Sequence, residues 1–329
     1  MRVLVTGSSG HLGEALMRVL GQHPDLLLTG LDIKPSAFTN AVGSVHDAGF
    51  VNTCMAGVDV IYHTATLHKP HVATHSKQDF FDVNVSGTLA LLEAAVAHGV
   101  SRFIFTSTTS VFGDAMRPEP GQPAVWVTED LQPLPKNIYG VTKFAAEDLC
   151  HLFHRQTSLN CIILRTSRFF PEEDDDCKKR NSYADANCKA NEFLYRRVEL
   201  QDVVDAHLKA AERAVDLGFG RYIISATTAF LPEDLQLLNV NAREVVLQRI
   251  PEFKDAYSAL GWTMFDRIDR VYVNTSARDD LGWEPQYDYR RILHMCRKQE
   301  TAKSKLAIAV GCKGYHDRAF AEGPYPVDM

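Results

Sequence analysis

Arg2-Val3-Leu4-Val5-Thr6-Gly7-Ser8-Ser9-Gly10-His11-Leu12-Gly13 opens the chain with a short apolar β-type run, a glycine-punctuated turn and, from Glu14 to Leu20, a helical pattern. Strand, glycine loop and helix in that order form an anion-binding arrangement. A helix start leaves N–H donors without intrahelical partners, and small residues let a pyrophosphate approach them. Gly7 permits the tight turn, Gly10 the approach of backbone to phosphate, and Gly13 close packing of helix on strand. His11 and Leu12 lie between them and belong to the same dinucleotide-facing surface.

Working outward, a second strand from Leu26 to Leu31 ends in Asp32, close to the spacing at which an acidic side chain meets the adenosine ribose hydroxyls of NAD. A carboxylate there repels the extra phosphate of NADP, although Lys34 just beyond keeps NADP open. Asp47 is expected at the edge of the adenine site. Val58 to His63 reads as another buried strand, closing on Thr64 and Ala65. Small residues after a strand admit a cofactor, so Ala65 and Thr66 are expected to line the nicotinamide side. A helix from Leu89 to His98 and a fifth strand from Arg102 to Phe105 continue the alternation. That pattern calls for a doubly wound α/β fold, a parallel sheet covered by helices on both faces, with ligands at the carboxyl ends of the strands.

The 329 residues, 45% hydrophobic and 23% charged, describe an ordinary globular protein able to bury a large core. Thirty-five basic against 41 acidic residues leave a formal charge of -6, a balance without the field that favours nucleic acid or an anionic membrane. No uninterrupted apolar stretch of about 18 residues appears, and the start lacks a signal-peptide layout, so the expectation is a cytoplasmic protein without membrane contact. The seven cysteines include no Cys-x-x-Cys pair and are read as free thiols, mostly core.

The chemistry-bearing residues follow the fifth strand. Thr106-Ser107-Thr108-Thr109-Ser110 offers hydroxyls, either for local turn bonds or to hold a reacting oxygen. Asn137-Ile138-Tyr139-Gly140-Val141-Thr142-Lys143 opens a helix on which Tyr139 and Lys143, four apart, share a face. An ammonium beside a phenol favours the phenolate and so equips Tyr139 as a general acid/base. His68 and Lys69 are candidate substrate contacts. The run His68, His71, His75 is interrupted by Pro70 and has no attached carboxylate or cysteine, so no metal site is expected. Arg168, Arg196 and Arg197 are candidate anion clamps for substrate, with pairing to the acidic run Glu172 to Asp176 as the alternative. The acidic run is otherwise expected to be a solvated loop.

Taken together, the loop from Thr6 to Gly13, Asp32, the His63-Thr64-Ala65 turn, Asn84 to Thr88, the hydroxyl cluster before Val111-Phe112-Gly113, and Tyr139-x-x-x-Lys143 resemble the extended short-chain dehydrogenases/reductases. More narrowly the chain is similar to the NAD-dependent epimerase/dehydratase family, typified by UDP-glucose 4-epimerase. The resemblance covers residues 1 to 165 strongly and 202 to 225 moderately. It implies Thr108 as the catalytic hydroxyl, with Ser107 the competing assignment, Tyr139 as acid/base, and Lys143 as holder of the nicotinamide ribose. Thr109 and Ser110 stand where sugar-nucleotide 4,6-dehydratases carry Asp-Glu, so dehydration is not expected. Arg168 replaces a usual asparagine, Phe112 a usual tyrosine, and the segment from 166 to 197 is short, which implies a smaller pocket.

The implied organisation is a Rossmann cofactor domain of residues 1–165 and 198–228 and a smaller mixed substrate lobe of 166–197 and 229–329. The implied activity is NAD-dependent epimerisation or oxidation at a hydroxyl-bearing carbon of a sugar or sugar-nucleotide. A simple NAD(P)-dependent dehydrogenase or reductase of a smaller polar alcohol or ketone is the alternative, and a non-catalytic NAD sensor a third reading. The family pairs helices corresponding to 78–98 and 137–154 between subunits, which implies a homodimer.

Overall fold

Val3 and Val5 point to one face of the central sheet and Leu4 to the other, and this period of two assigns every later helix to a layer. The structure, a computed structural model, describes residues 1–174, 176–314, 316 and 320. In chain order it begins β1 (Arg2–Thr6), α1 (His11–Leu20), β2 (Leu27–Asp32), β3 (Ala41–Val42), α2 (Ala48–Cys54) and β4 (Val60–His63). There follow α3 (Lys77–Phe81), α4 (Gly87–Ala97), β5 (Arg102–Thr108), β6 (Val125–Val127), α5 (Ile138–Gln156) and β7 (Asn160–Thr166). The chain continues through α6 (Cys177–Ser182), α7 (Asp185–Phe193), α8 (Leu200–Leu217), β8 (Phe219–Ile224) and, after three short helices, β9 (Arg270–Tyr272).

All pairings in the main sheet are parallel, in the order β3-β2-β1-β4-β5-β7-β8. The chain winds outward from β1 through β2 and β3, then returns to start again at β4. The crevice beyond the carboxyl ends of β1 and β4 is therefore the topological switch point, where such sheets receive ligands. On one face α1 and α8 cover Val3, Val5 and Ile104; on the other α2, α4 and α5 cover Leu4, Ile61 and Phe103. The doubly wound fold read from the glycine loop is the observed one.

The helical stretch Lys77–Ala97 is long and apolar enough to cross a membrane by length and composition, and half of its most apolar window is buried inside the fold. Its apolar residues Leu91, Leu92 and Ala95 pack in the core between the sheet and its neighbours α2 and α5. Between α3 and α4 the backbone widens into a π turn, Asp82–Ser86, carrying the buried Asn84.

The second lobe has its own core, in which Phe193, Phe230, Phe253 and Tyr257 are buried together. Its two-stranded parallel sheet pairs β6 with β9, so residues 125–127 join this lobe from within the span assigned by sequence to the cofactor domain. Conversely Ala277, Leu281, Trp283 and Val310 pack with α1 and α8, which places part of the carboxyl-terminal region against the sheet domain. Asp175 of the acidic run and the turn-rich end from Ala321 to Pro326 lie outside the described residues.

Candidate active site

Two cavities meet at Tyr139. The first, about 490 Å³, follows the switch point and is bordered by Gly7, Gly10 to Gly13, Asp32, Ala65 and Thr66. The second, also about 490 Å³, opens toward the smaller lobe and is bordered by Thr108, Lys69, Lys136 and Arg168. Tyr139, Thr166, His68, Phe170 and Glu172 border both.

The first cavity has the features a dinucleotide requires. Gly7 holds φ +72°, and a Cβ there would lie 2.8 Å from the Ala65 nitrogen. A Cβ on Gly13 would lie 1.9 Å from the Gly7 carbonyl oxygen, so helix and loop are as close as glycine allows. Gly10 caps α1 without a side-chain hydrogen bond, which leaves the first-turn N–H groups for an anion. Asp32 accepts from Ser9 N–H at 3.0 Å and Lys34 N–H at 2.9 Å, which fixes its carboxylate at the end of β2 where ribose hydroxyls would reach it. Beneath the loop, buried His63 bridges Thr6 (2.8 Å) and Thr88 (2.9 Å), tying β1, β4 and α4 together. Asn84 accepts from Leu67 N–H at 2.8 Å and from Thr66 Oγ1 at 2.9 Å, and so sets the turn that carries Ala65 and Thr66 along the cavity. Asp47 takes a different place from the adenine edge expected of it: it caps α2, accepting from Phe50 N–H at 3.0 Å, while Gly43 to Val45 border the cavity.

Two features at this mouth had no counterpart in the sequence reading. His11 stacks on Phe169, ring centroids 6.0 Å apart, and burial pushes its imidazole down to about 4 against the opposing pull of Glu172. Lys313 and Gly314 border the same cavity, with the Lys313 ammonium paired to Glu14 in the first turn of α1. The segment is held on either side by Cys312 Sγ donating to Glu172 (3.0 Å) and by His316 Nε2 within 2.9 Å of the Pro70 carbonyl. Residues 312–314 thus lie across the entrance to the glycine loop.

At the junction, the Thr108 hydroxyl neighbours the Tyr139 phenol and favours its ionised form, and Thr108 Oγ1 accepts from Ser110 N–H at 3.1 Å. Strand alternation explains why it is Thr108. Thr106 is bonded to His207 of α8 (2.8 Å), whereas Ser107 donates to Glu147 of α5 (2.5 Å). The next hydroxyl, at the carboxyl end of β5, opens into the second cavity. Ser107 is thus a buried support that borders the first cavity and not the second, and it is corrected as a substrate contact in the second. Glu147 also receives Arg165, Nη2 at 2.7 Å, and Arg165 lies over the Phe112 ring at 4.8 Å. Phenylalanine in place of tyrosine is therefore matched to a guanidinium packed on its face. Glu147 was legible only as the residue one helical turn after Lys143.

Asn137 caps α5, accepting from Gly140 N–H at 3.0 Å, and brings Tyr139 and Lys143 onto one buried face. The electrostatics differ from expectation. Burial pushes the Tyr139 phenol up to about 12, opposed by the Thr108 hydrogen bond. Lys143, its Nζ 4.0 Å from the Phe105 ring centroid, is itself pushed down to about 7 by burial. Desolvation dominates both shifts and neither draws on the other group, so the lowered phenol expected from an adjacent ammonium is corrected.

The arginines also depart from expectation. Arg168 Nη1 contacts Asp174 at 2.8 Å, Arg196 Nη2 contacts Asp174 at 3.1 Å and Glu192 at 2.5 Å, and Arg197 Nε contacts Glu192 at 3.0 Å. Arg197 further donates to the Phe170 carbonyl at 3.0 Å and borders neither cavity, so it is withdrawn as a substrate clamp. Arg168 and Arg196 reach the second cavity with carboxylates already matched to them. Asp174 is buried, in contrast to the solvated loop expected for this run. Lys69 borders the second cavity and His68 lies between the two, its imidazole held well below the usual range by burial. Among the described residues, Asp174, Cys188 and Glu192 are the converging group with metal-ligand atoms, and the three arginines occupy its carboxylates. The cysteines are free, three of them buried.

A parallel switch-point sheet with a glycine loop, and a Tyr-x-x-x-Lys helix meeting a strand-end threonine, define an extended short-chain dehydrogenase/reductase. The model of the NAD dependent epimerase/dehydratase family matches residues 3–224. The chain belongs to that family.

Among curated relatives, the Bacillus subtilis protein YtcB, described as an uncharacterized UDP-glucose epimerase, is 30% identical over 185 residues, 50% of this chain and 55% of that one. The chain thus spans about half the length of that relative. A UDP-glucose 4-epimerase of Rhizobium leguminosarum bv. trifolii is 26% identical over 339 residues, covering 88% of this chain and 94% of the relative. A NAD-bound short-chain dehydrogenase/reductase superfamily protein from Agrobacterium tumefaciens has a similar fold, with a TM-score of 0.63 at 23% identity over 91% of this chain and 96% of that one.

Proposed function

We propose that the protein binds NAD in the first cavity and oxidises a hydroxyl-bearing carbon of a sugar or sugar-nucleotide substrate held in the second. The observation that carries this reading is the position of Tyr139, beside Thr108 and bordering both cavities at their junction. NAD, when bound, supplies the hydride acceptor. Gly7, Gly10, Gly13, His11 and Leu12 would hold its pyrophosphate side, Asp32 its adenosine ribose, Ala65 and Thr66 the nicotinamide side. The Asp32 carboxylate favours NAD over NADP. Lys143 would hold the nicotinamide ribose, and its charge would then lower the Tyr139 phenol. Thr108 steadies the substrate oxygen while Tyr139 takes its proton.

If the ketone turns within the site and is reduced on its other face, the reaction is an epimerisation. If it leaves, the enzyme is a dehydrogenase or, in reverse, a reductase; the short segment between β7 and α8 favours this second outcome for a smaller substrate. Dehydration fits poorly, because Thr109 and Ser110 supply no second acid and base. Exposed Phe81, Val96 and Val141 on α3, α4 and α5 support a homodimer through those helices, which sizing in solution tests.

The decisive experiment is a screen of nucleotide sugars and small hydroxy compounds read by bound-cofactor absorbance, with Tyr139→Phe alongside. Turnover without net NADH supports epimerisation, and stoichiometric NADH identifies a dehydrogenase. NAD binding with every activity indifferent to Tyr139→Phe would leave the sensor reading.

A further inference from the structure

Glu14, buried in the first turn of α1, holds two cations on one carboxylate. Arg18, one helical turn further on, lies 2.8 Å from Oε1, and the Lys313 ammonium is paired with Oε2. One guanidinium already balances one carboxylate, so the second cation leaves an excess positive charge at the start of α1. Lys313 reaches this place from 299 residues away, and Cys312 and His316 hold its segment at two other points, Glu172 and the Pro70 carbonyl. Lys313 and Gly314 border the first cavity together with Gly10 to Gly13. Lys34 borders it as well, but at the Asp32 end, where its N–H donates to that carboxylate. The negative groups on the cavity are Asp32, at the ribose end, and Glu172, which accepts from the Cys312 thiol at 3.0 Å. The first-turn N–H groups of α1, capped by Gly10 without a side-chain bond, favour an anion beside Lys313. An ammonium carries three rotatable donors, so Lys313 can keep Glu14 and donate to a second oxyanion.

We propose that Lys313 is a dinucleotide-binding residue supplied by the carboxyl-terminal region: its ammonium clamps the cofactor's pyrophosphate against the glycine loop, while Cys312 and His316 hold the segment in place. The loop then binds the anion from two sides, by backbone N–H groups from α1 and by a cation from the far end of the chain. This rests on the reading of the first cavity as the NAD site, and binding tests it without turnover.

The full chain, free of cofactor, is titrated calorimetrically with NAD, ADP and adenosine. Lys313→Ala should weaken NAD and ADP severalfold and leave adenosine, which has no phosphate, unchanged; Lys313→Arg should keep most of the affinity. Lys313 is exposed at the rim and Glu14 retains Arg18, so the melting temperature should be kept. Should Lys313→Ala not fold, Lys313→Gln carries the same test. Glu14→Gln separates a contact from an anchor. With Cys312 and His316 still holding the segment, it should leave ADP affinity equal to or above that of the wild type, because it removes a negative charge and keeps the ammonium. Added salt should narrow the gap between wild type and Lys313→Ala. NAD and ADP affinities unchanged by the loss of Lys313, an equal loss for adenosine, or a loss in Glu14→Gln as large as that in Lys313→Ala overturns the proposal. If the wild type binds neither NAD nor ADP, the cofactor reading falls and this proposal with it; if NAD binds and only the Lys313 result fails, the cofactor reading stands.

Discussion

Replacing Glu147 by alanine tests how the catalytic strand is held. Glu147 is fully buried, accepts from Ser107 at 2.5 Å and pairs with Arg165, whose side chain is 3% exposed, at 2.7 Å. Removing it strands a guanidinium in the core and deprives Ser107 of its acceptor. Breaking one side of a buried pair costs about 3–5 kcal/mol, because the remaining charge is left without compensation. For a chain of this size that corresponds to a fall in Tm of roughly 4–7 °C. Arg221, whose Nε lies 3.5 Å from Glu147, is a quarter exposed and already paired with Asp148, so it does not take over the role. Thermal and urea unfolding should therefore show a large loss for Glu147→Ala, and much of it should return in the double variant Glu147→Leu with Arg165→Leu, where neither charge is left behind. A loss below about 1 kcal/mol, well under the range for a broken buried pair, or a double variant no better than the single one, would refute the assignment of Ser107 and Arg165 to a common buried support.

Ser107→Ala should cost about 1.5–3 kcal/mol of stability through its bond to a charged acceptor, with kcat nearly kept, whereas Thr108→Val should leave stability nearly unchanged and lower kcat about a hundredfold. Gly13→Ala should abolish NAD binding by fluorescence titration, because its Cβ would sit 1.9 Å from the Gly7 carbonyl oxygen. The cofactor-free protein should gain stability from Lys143 as pH rises. Its folded pKa, about 7, lies below the ordinary 10.5, so between those values the unfolded chain binds more protons. Urea unfolding at several pH values should show a shallower rise for Lys143→Met, and identical slopes would discard the burial account. Lys313→Ala should weaken NAD binding severalfold, since the segment across the glycine loop is anchored there through Glu14; unchanged affinity would make that segment incidental to the cofactor.

Much of this was legible in the chain because the glycine loop, the apolar strands and the helix opening at Asn137 are local signals. Each depends on residues a few positions apart, and the strands, buried on both faces, read as apolar runs. What escaped reading depends on which residues meet across long separations. Three arginines near a presumed ligand site look like anion clamps until Glu192 and Asp174 are brought to them by α7 and the loop before α6. A hydroxyl cluster names no single member until β5 is placed between α5 and α8. Asp47, taken for adenine, turned out to serve a helix cap, which is a use of aspartate as common as any.

The tyrosine and lysine show the same limit in energetic form. Spacing alone predicts attraction between an ammonium and a phenolate, but spacing carries no information about water. Inside the fold desolvation dominates both groups and neither shift draws on the other, so Tyr139 moves up while Lys143 moves down. The pair becomes chemically competent only when a polar ligand restores part of that lost solvation. A dinucleotide ribose hydrogen-bonded to the Lys143 ammonium would do this, since it would stabilise the cation and so restore the charge that lowers the phenol. On that account the cofactor acts on the acid/base residue as well as on the substrate. The pH at which Tyr139 supports turnover should accordingly lie well below the value of about 12 that burial alone imposes, and Lys143→Met should move it upward.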